Sequence, residues 1–246
     1  MILKLSLSFL LVSTLSFTLH ARSKVDKVQN LYGVSLQSHK VMADRVYNGS
    51  IERTYPFPIS LVKNGITNFT DKCNNDFKSW RKYTSEDLHC KYHNENLIES
   101  FVVNEMRPTH KASGEFYLVG RQVYNRGNSG YYELVQVTEG QNSSNQKTIN
   151  ISFKMLNDQE VKAFTSPRFS NDSAFDKSLT TFVLTEISPY QTHMSYKYSA
   201  QTDHWLLNKE VSVPQVFASI SKSINNLLKT VEAESSFQKR KLASED

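Results

Sequence analysis

The chain has 246 residues, 39% of them hydrophobic and 22% charged, with a net charge of +5. That length suits one domain with a sizeable core. The charge is scattered, its one dense run (Lys239-Arg240-Lys241) lies in a polar tail, and no zinc-finger spacing or RNA-binding aromatic motif accompanies it, which argues against a nucleic-acid partner.

Residues 1–21 have the three-part form of a secretory signal. Lys4 is a short positive region, Leu5 to Leu19 an apolar run diluted with Ser and Thr, and Ala21 a small residue at a cleavage point. The run is too short and too interrupted for a membrane anchor, and nothing later is apolar enough to span a bilayer. The expectation is an exported protein, periplasmic or extracellular, with no transmembrane segment after cleavage. Sequons begin at Asn48, Asn68, Asn142, Asn150 and Asn171, and they bear on the protein only in a eukaryotic host.

A helical lead-in is expected over 22–44, on the spacing of Val25, Val28 and Leu31 within residues 23–31. Residues 46–58 read as a strand ended by prolines, with Ile51, Arg53 and Tyr55 alternating against Ser50, Glu52 and Thr54. A helix begins near Ser60. Its inner face would be Val62, Ile66, Phe69 and Cys73, and Asn64-Gly65 weakens its middle. A second short helix or turn is expected over 76–82.

Cys73 and Cys90 are the only cysteines. In an oxidising compartment they are most simply a disulfide, pinning the end of this helix to the start of the following sheet. Closing such a loop stabilises on the order of 3 kcal/mol in the chain-entropy model. A metal site would use Cys73, Cys90, His93 and His89, but no C-x-x-C pair is present and the adjacent His89 and Cys90 point to opposite sides of a strand. An exported thiol near a second cysteine is oxidised more readily than it is catalytic.

Strands then dominate, over 97–106, 116–124 and 131–138, with a Gly-bearing turn at 125–130 and a polar turn at 140–146. Ile149, Ile151, Phe153 and Met155 alternate with Asn150, Ser152 and Lys154, the period-two pattern of a sheet with one wet face. A short helix or loop follows at 157–164, a loop at 166–176, and strands at 179–187 and 192–201. The last element is a helix over 212–234. Ser212 and Gln215 form a capping box, and Val213, Val216, Phe217, Ile220, Ile224, Leu227, Leu228 and Val231 form one apolar stripe. Residues 236–246 read as a disordered polar tail.

Chemistry is scarce. The sequence holds no G-x-S-x-G, H-E-x-x-H, phosphate-binding loop or dinucleotide fingerprint, so no cofactor and no metal are expected. Glu52, Glu99, Glu105, Glu133 and Glu186 lie on or near strands, where such residues usually mark the solvated face. His193 and His204 flank the last strand, where histidines are usually exposed or satisfied. Tyr117, Tyr124, Tyr131, Tyr132, Tyr196 and Tyr198 lie in strands and serve either as core filling or as pocket walls whose hydroxyls orient a ligand.

A strand, a helix, a run of antiparallel strands and a long final helix form an order that resembles the helix-grip fold of the START and polyketide-cyclase-like superfamily. SIERTYPFPISLVKNGITNF resembles that group's opening, and VSVPQVFASISKSINNLLKTVE is similar to its final helix. The resemblance covers roughly residues 45–235 as an order of elements. It implies an α+β domain whose curved antiparallel sheet grips the last helix around an apolar cavity. Three classes of function follow. A carrier of a hydrophobic or lipid-like molecule needs a cavity walled by Ile149, Ile151, Phe153, Met155, Tyr196, Tyr198, Phe217, Ile220 and Ile224. A cyclase- or hydrolase-like enzyme needs convergent polar groups in that cavity, and no catalytic set announces itself. A structural or interaction module needs the cavity filled.

Overall fold

The computed structural model describes residues 25–67, 97–106, 114–123, 129–167, 170–171 and 173–245. Cys73, Cys90, the signal segment and the expected helix at 76–82 lie outside them.

The chain begins with three strands, β1 (Val25–Leu31), β2 (Val34–Val41) and β3 (Asp44–Tyr55), joined by two-residue turns. Tyr32 and Gly33 both have positive φ, 53° and 82°, the backbone that matches the twist of paired strands. Met42, in the second turn, also has positive φ at 56°. The helical lead-in over 22–44 is therefore corrected to a hairpin. Val25, Val28 and Leu31 fit a helical spacing, but Val34, Leu36 and Ser38 alternate, and pairing of the two segments overrides local propensity. Val28, which the helical reading groups with Val25 and Leu31 on one side, is 67% exposed.

The prolines end β3 as expected, and the Pro58 carbonyl accepts from the Leu61 and Val62 amides to open α1 (Ile59–Thr67). Ile59, Leu61, Val62 and Ile66 are buried. A meander follows through β4 (Leu97–Met106), β5 (Glu115–Val123), β6 (Ser129–Gln141) and β7 (Lys147–Leu156). In the β6–β7 turn Asn142 Oδ1 accepts from the amides of Ser144 and Gln146. Asn157 and Glu160 form a capping box on α2 (Asp158–Lys162), a local signal that suffices for a helix this short. The two-residue β8 (Ser170–Asn171) pairs in parallel with β6, and β9 (Lys177–Ser188) and β10 (Gln191–Thr202) form the last hairpin.

Among the described residues the strands make one sheet of order β1-β2-β3-β10-β9-β7-β6-β5-β4, antiparallel throughout, with β8 beside β6. A 3-10 turn at Glu210–Ser212 leads into α3 (Val213–Glu245). Val213, Val216, Phe217, Ile220, Ile224, Leu228 and Val231 of α3 join a single core with the inner faces of the strands and with α1. A small second cluster, Leu118, Tyr132, Leu156 and Val161, lies under α2 on the outer face. No helix among the described residues is long and apolar enough to cross a membrane.

The helix α3 runs to Glu245, so the tail expected to be disordered from 236 is a further part of the helix. Ser235 is fully buried, its hydroxyl proton shared between the Val231 carbonyl at 2.7 Å and the Leu61 carbonyl at 3.2 Å, and Lys239 lies 6.0 Å above the Phe57 ring. The extra turns thus have α1 and its approach to rest on, and their Lys, Arg, Gln, Leu and Ala residues are good helix formers. Gly65 makes the close crossing workable: a Cβ there would stand 3.0 Å from the Val231 carbonyl oxygen. The glycine that weakens α1 in isolation lets α3 pass at backbone contact.

Candidate functional site

Between β10 and α3 lies a cavity of about 480 Å³, within the size range of small-molecule sites. Its buried floor is Tyr196 from β10 with Val216, Ile220 and Ile224 from α3, and Tyr198, Phe175, Leu207 and Leu227 are half-buried around it. The open rim is formed by Ala174, Leu206 and the exposed Gln215, Ser219 and Ser223 on the outer edge of α3. The helix therefore offers one apolar flank to the interior and a row of small polar groups to the opening. Among the described residues, no charged side chain lines the cavity.

Alternation along β10 sends Thr192, Met194, Tyr196 and Tyr198 to the inner face, which is why two tyrosines reach the same space. Tyr196 packs edge-on against Phe182 of β9 at 5.0 Å between ring centres, and Phe182 packs in turn on Phe153 of β7 at 5.8 Å. Burial raises the Tyr196 and Tyr198 phenols far above the ordinary tyrosine range. A hydrogen bond with Thr180 opposes the shift at Tyr196, and the field of Glu133 adds to it at both. Both hydroxyls stay protonated at any physiological pH, available as neutral donors and acceptors.

The loop at 203–209 is tied to the β2–β3 hairpin. Tyr47 donates its hydroxyl to the Leu207 carbonyl at 2.5 Å, and the buried Arg45 donates from Nε to the Asn208 carbonyl at 3.0 Å and from a terminal nitrogen to Ser38 Oγ at 2.9 Å. Asn208 Nδ2 donates to the Ala43 carbonyl. Leu206 and Leu207 are thereby held in place at the rim.

Beyond Tyr198 the inner face turns polar. Arg121 of β5 and Glu133 of β6 form an ion pair at 2.5 Å, their side chains 20% and 12% exposed, with Tyr131 directly across from Arg121. Desolvation works against the Arg121 charge, but Glu133 and Tyr131 more than offset it. Burial, then Glu133, pushes the Tyr131 phenol up to about 12.

Of the nine wall positions expected from the sequence, the structure places Tyr196, Tyr198, Ile220 and Ile224 at the cavity. Ile149, Ile151, Phe153, Met155 and Phe217 are corrected from wall to filling: all five are buried, four of them in the main core, with Phe153 edge-on to Phe182 and Phe217 edge-on to Tyr47. Sequence reasoning missed Phe175, Leu206 and Leu207, whose only signal is apolar residues inside polar loops, and the Gln215–Ser219–Ser223 edge, which reads as solvated surface. The side chains of Glu99 and Glu105 lie outside those described, and the other acids and histidines considered as catalysts do not converge. Glu133 is held by Arg121, Glu52 is exposed, Glu186 and His193 do not line the cavity, and His204 stacks on Trp205. Among the described residues no group of His, Cys, Asp and Glu could hold a metal ion.

No family model matches the sequence, and no curated protein matches it. Solved structures do. Human STARD10 aligns at 11% identity over 89% of this chain and 77% of its own, with a TM-score of 0.49. A STAR-related lipid transfer protein from Xanthomonas axonopodis aligns at 10% over 85% and 98%, with a TM-score of 0.45. Human StAR-related lipid transfer protein 5 aligns at 11% over 84% and 86%, with a TM-score of 0.44. At these values the matches do not by themselves assign a ligand. The strand order and the helix laid along the inner face give this chain a helix-grip architecture, a curved antiparallel sheet around a long last helix, with its cavity between the two.

Proposed function

We propose that this protein is an exported, non-enzymatic carrier of a hydrophobic, lipid-like small molecule without net charge. The observation that carries the reading is the cavity: about 480 Å³, floored by aliphatic and tyrosine side chains, and with no charged group among the described residues that line it. A charged headgroup buried there would lose hydration with no counter-charge, whereas an apolar body with a hydroxyl or carbonyl finds partners in the tyrosines and Gln215. A filled structural core is disfavoured by the same space. Export rests on the form of residues 1–21, and in that setting Cys73 and Cys90 form a disulfide.

Native mass spectrometry of protein purified from an oxidising compartment, followed by solvent extraction, tests this. The expected result is a stoichiometric neutral lipid, a mature chain beginning near residue 22, and a mass two hydrogens short. A ligand-free mass that stays ligand-free after incubation with extracted lipids overturns the carrier reading.

A further inference from the structure

The outer face of the sheet carries a second hollow, of about 380 Å³, lying over β2, β3, β10 and β9. Two cross-strand rows form its floor. One runs Gln37–Asn48–Ser199–Leu179 and the other Ser35–Ser50–Lys197–Thr181, each residue directly across from the next. Three strand spacings of about 4.8 Å make the groove roughly 14 Å long. Tyr198 borders both the groove and the cavity, which lie on opposite faces of β10.

Two observations set this surface apart. The first is that none of its seven polar side chains makes a hydrogen bond or ion pair within the described residues. Elsewhere such groups are engaged with one another, as Asn142 is with Gln146, and Lys63 with Glu115 and Glu139. The second is local sequence. β3 is an interior strand, yet its middle reads Asn-Gly-Ser, and Asn and Gly are depleted from strands. Gly49 has a packing reason, since a Cβ there would stand 3.0 Å from Ile224 Cδ1 on the inner face. Asn48 has none. A local rule broken with no gain in packing is where a functional surface is expected.

The chemistry of the groove selects its ligand. All four strands have neighbours on both sides, so a peptide finds no free backbone edge to pair with. One exposed leucine is too little for an apolar ligand, and one cation too few for a phosphate backbone. Hydroxyls and carboxamides that both donate and accept match the closely spaced hydroxyls of a sugar. Leu179, 46% exposed, offers an apolar contact to the C–H face of a ring. Among the described residues no acidic side chain lines the groove, and Glu52, one row away across from Ser195, forms no ion pair with Lys197. The Lys197 ammonium is therefore open to a carboxylate, as a charge-assisted donor.

We propose that this outer groove binds an acidic oligosaccharide, with sugar hydroxyls on the Ser, Thr, Asn and Gln side chains and a carboxylate on Lys197. The site is independent of the carrier reading, because the sheet separates it from the cavity.

The test is a titration of the full mature protein, followed by amide NMR shifts, with tetragalacturonate, a hyaluronan oligosaccharide and neutral cellotetraose. Protein from a bacterial periplasm is used, so that Asn48 carries no glycan. Saturable shifts at 35–37, 48–50, 179–181 and 197–199 are expected with at least one acidic sugar, at a Kd of about 1 mM or tighter. Cellotetraose should bind about threefold or more weakly, and Lys197→Gln should bring the acidic sugar to its level. Ser50→Tyr fills the groove from an exposed position and should abolish the shifts while thermal unfolding and uptake of a fluorescent long-chain alcohol stay unchanged. No saturable shifts with either acidic sugar, shifts centred elsewhere, or undiminished binding by Ser50→Tyr would each overturn the site. Equal affinity for cellotetraose, or no loss in Lys197→Gln, would overturn the assignment of an acidic ligand.

Discussion

Replacing Glu133 by Gln should cost this protein about 3 kcal/mol of stability. The carboxylate stands 2.5 Å from the Arg121 guanidinium, and the two side chains are only 12% and 20% exposed. An exposed pair is worth roughly 0–1 kcal/mol, because water and salt screen it. Breaking a buried pair by removing one partner costs about 3–5 kcal/mol, since a desolvated charge loses its counter-ion. Four-fifths burial of the arginine places Glu133→Gln near the lower end of the second range. Removing both charges together is different. Arg121→Met/Glu133→Leu keeps volume on a face shared with Val119 and Val135, and should return stability to within about 1 kcal/mol of the parent. Urea denaturation of the parent, both single variants and the double variant gives the coupling directly, provided the slopes are unchanged. A Glu133→Gln cost below about 1 kcal/mol would refute the reasoning, as would a double variant as unstable as the sum of the singles.

Gly65→Ala gains about 1 kcal/mol in helix propensity but places a methyl 3.0 Å from the Val231 carbonyl, and overpacking of roughly 1–3 kcal/mol wins, so a melt should show net loss. Tyr47→Phe removes the donor to Leu207, costing about 1–2 kcal/mol and speeding amide exchange across residues 206–209. The phenols of Tyr55, Tyr131, Tyr196 and Tyr198 are all raised above the ordinary value of 10.0, mainly by burial. The folded state then holds protons that the unfolded state releases. Their contribution is whole below pH 10 and falls as pH rises from there towards 12. Absorbance at alkaline pH should show these tyrosines ionising only as the protein unfolds; smooth titration of all twelve with the fold intact would contradict their burial.

Much of the sheet was legible because one face is wet. Ile149, Ile151, Phe153 and Met155 are buried while Asn150 and Lys154 between them are exposed, so period two survives in the sequence. Residues 25–41 were not legible: Val25, Val28 and Leu31 satisfy a helical spacing, and only pairing with β2 decides the matter. The α3 stripe was legible through Val231, but not its extension to Glu245, which depends on a buried serine meeting α1. Sequence cannot divide an apolar inner face into filling and wall. Phe153 and Tyr196 sit on opposite sides of the same Phe182 ring, yet only Tyr196 reaches the open space. The rim was hidden for the opposite reason, since Gln215, Ser219 and Ser223 form a polar helix face that usually means bulk solvent.

The central claim, that the space between β10 and α3 holds an apolar ligand, is tested most directly by titrating a fluorescent long-chain alcohol into the parent protein and into Ser219→Trp and Ser223→Trp. Both serines are exposed on the rim, so the fold tolerates the change while an indole narrows the opening. Saturable binding at one site in the parent, weakened about tenfold or more in both variants with unchanged melting, is the expected result. Equal affinity in all three proteins, or no saturable binding in the parent, would contradict the assignment of this cavity as the ligand site.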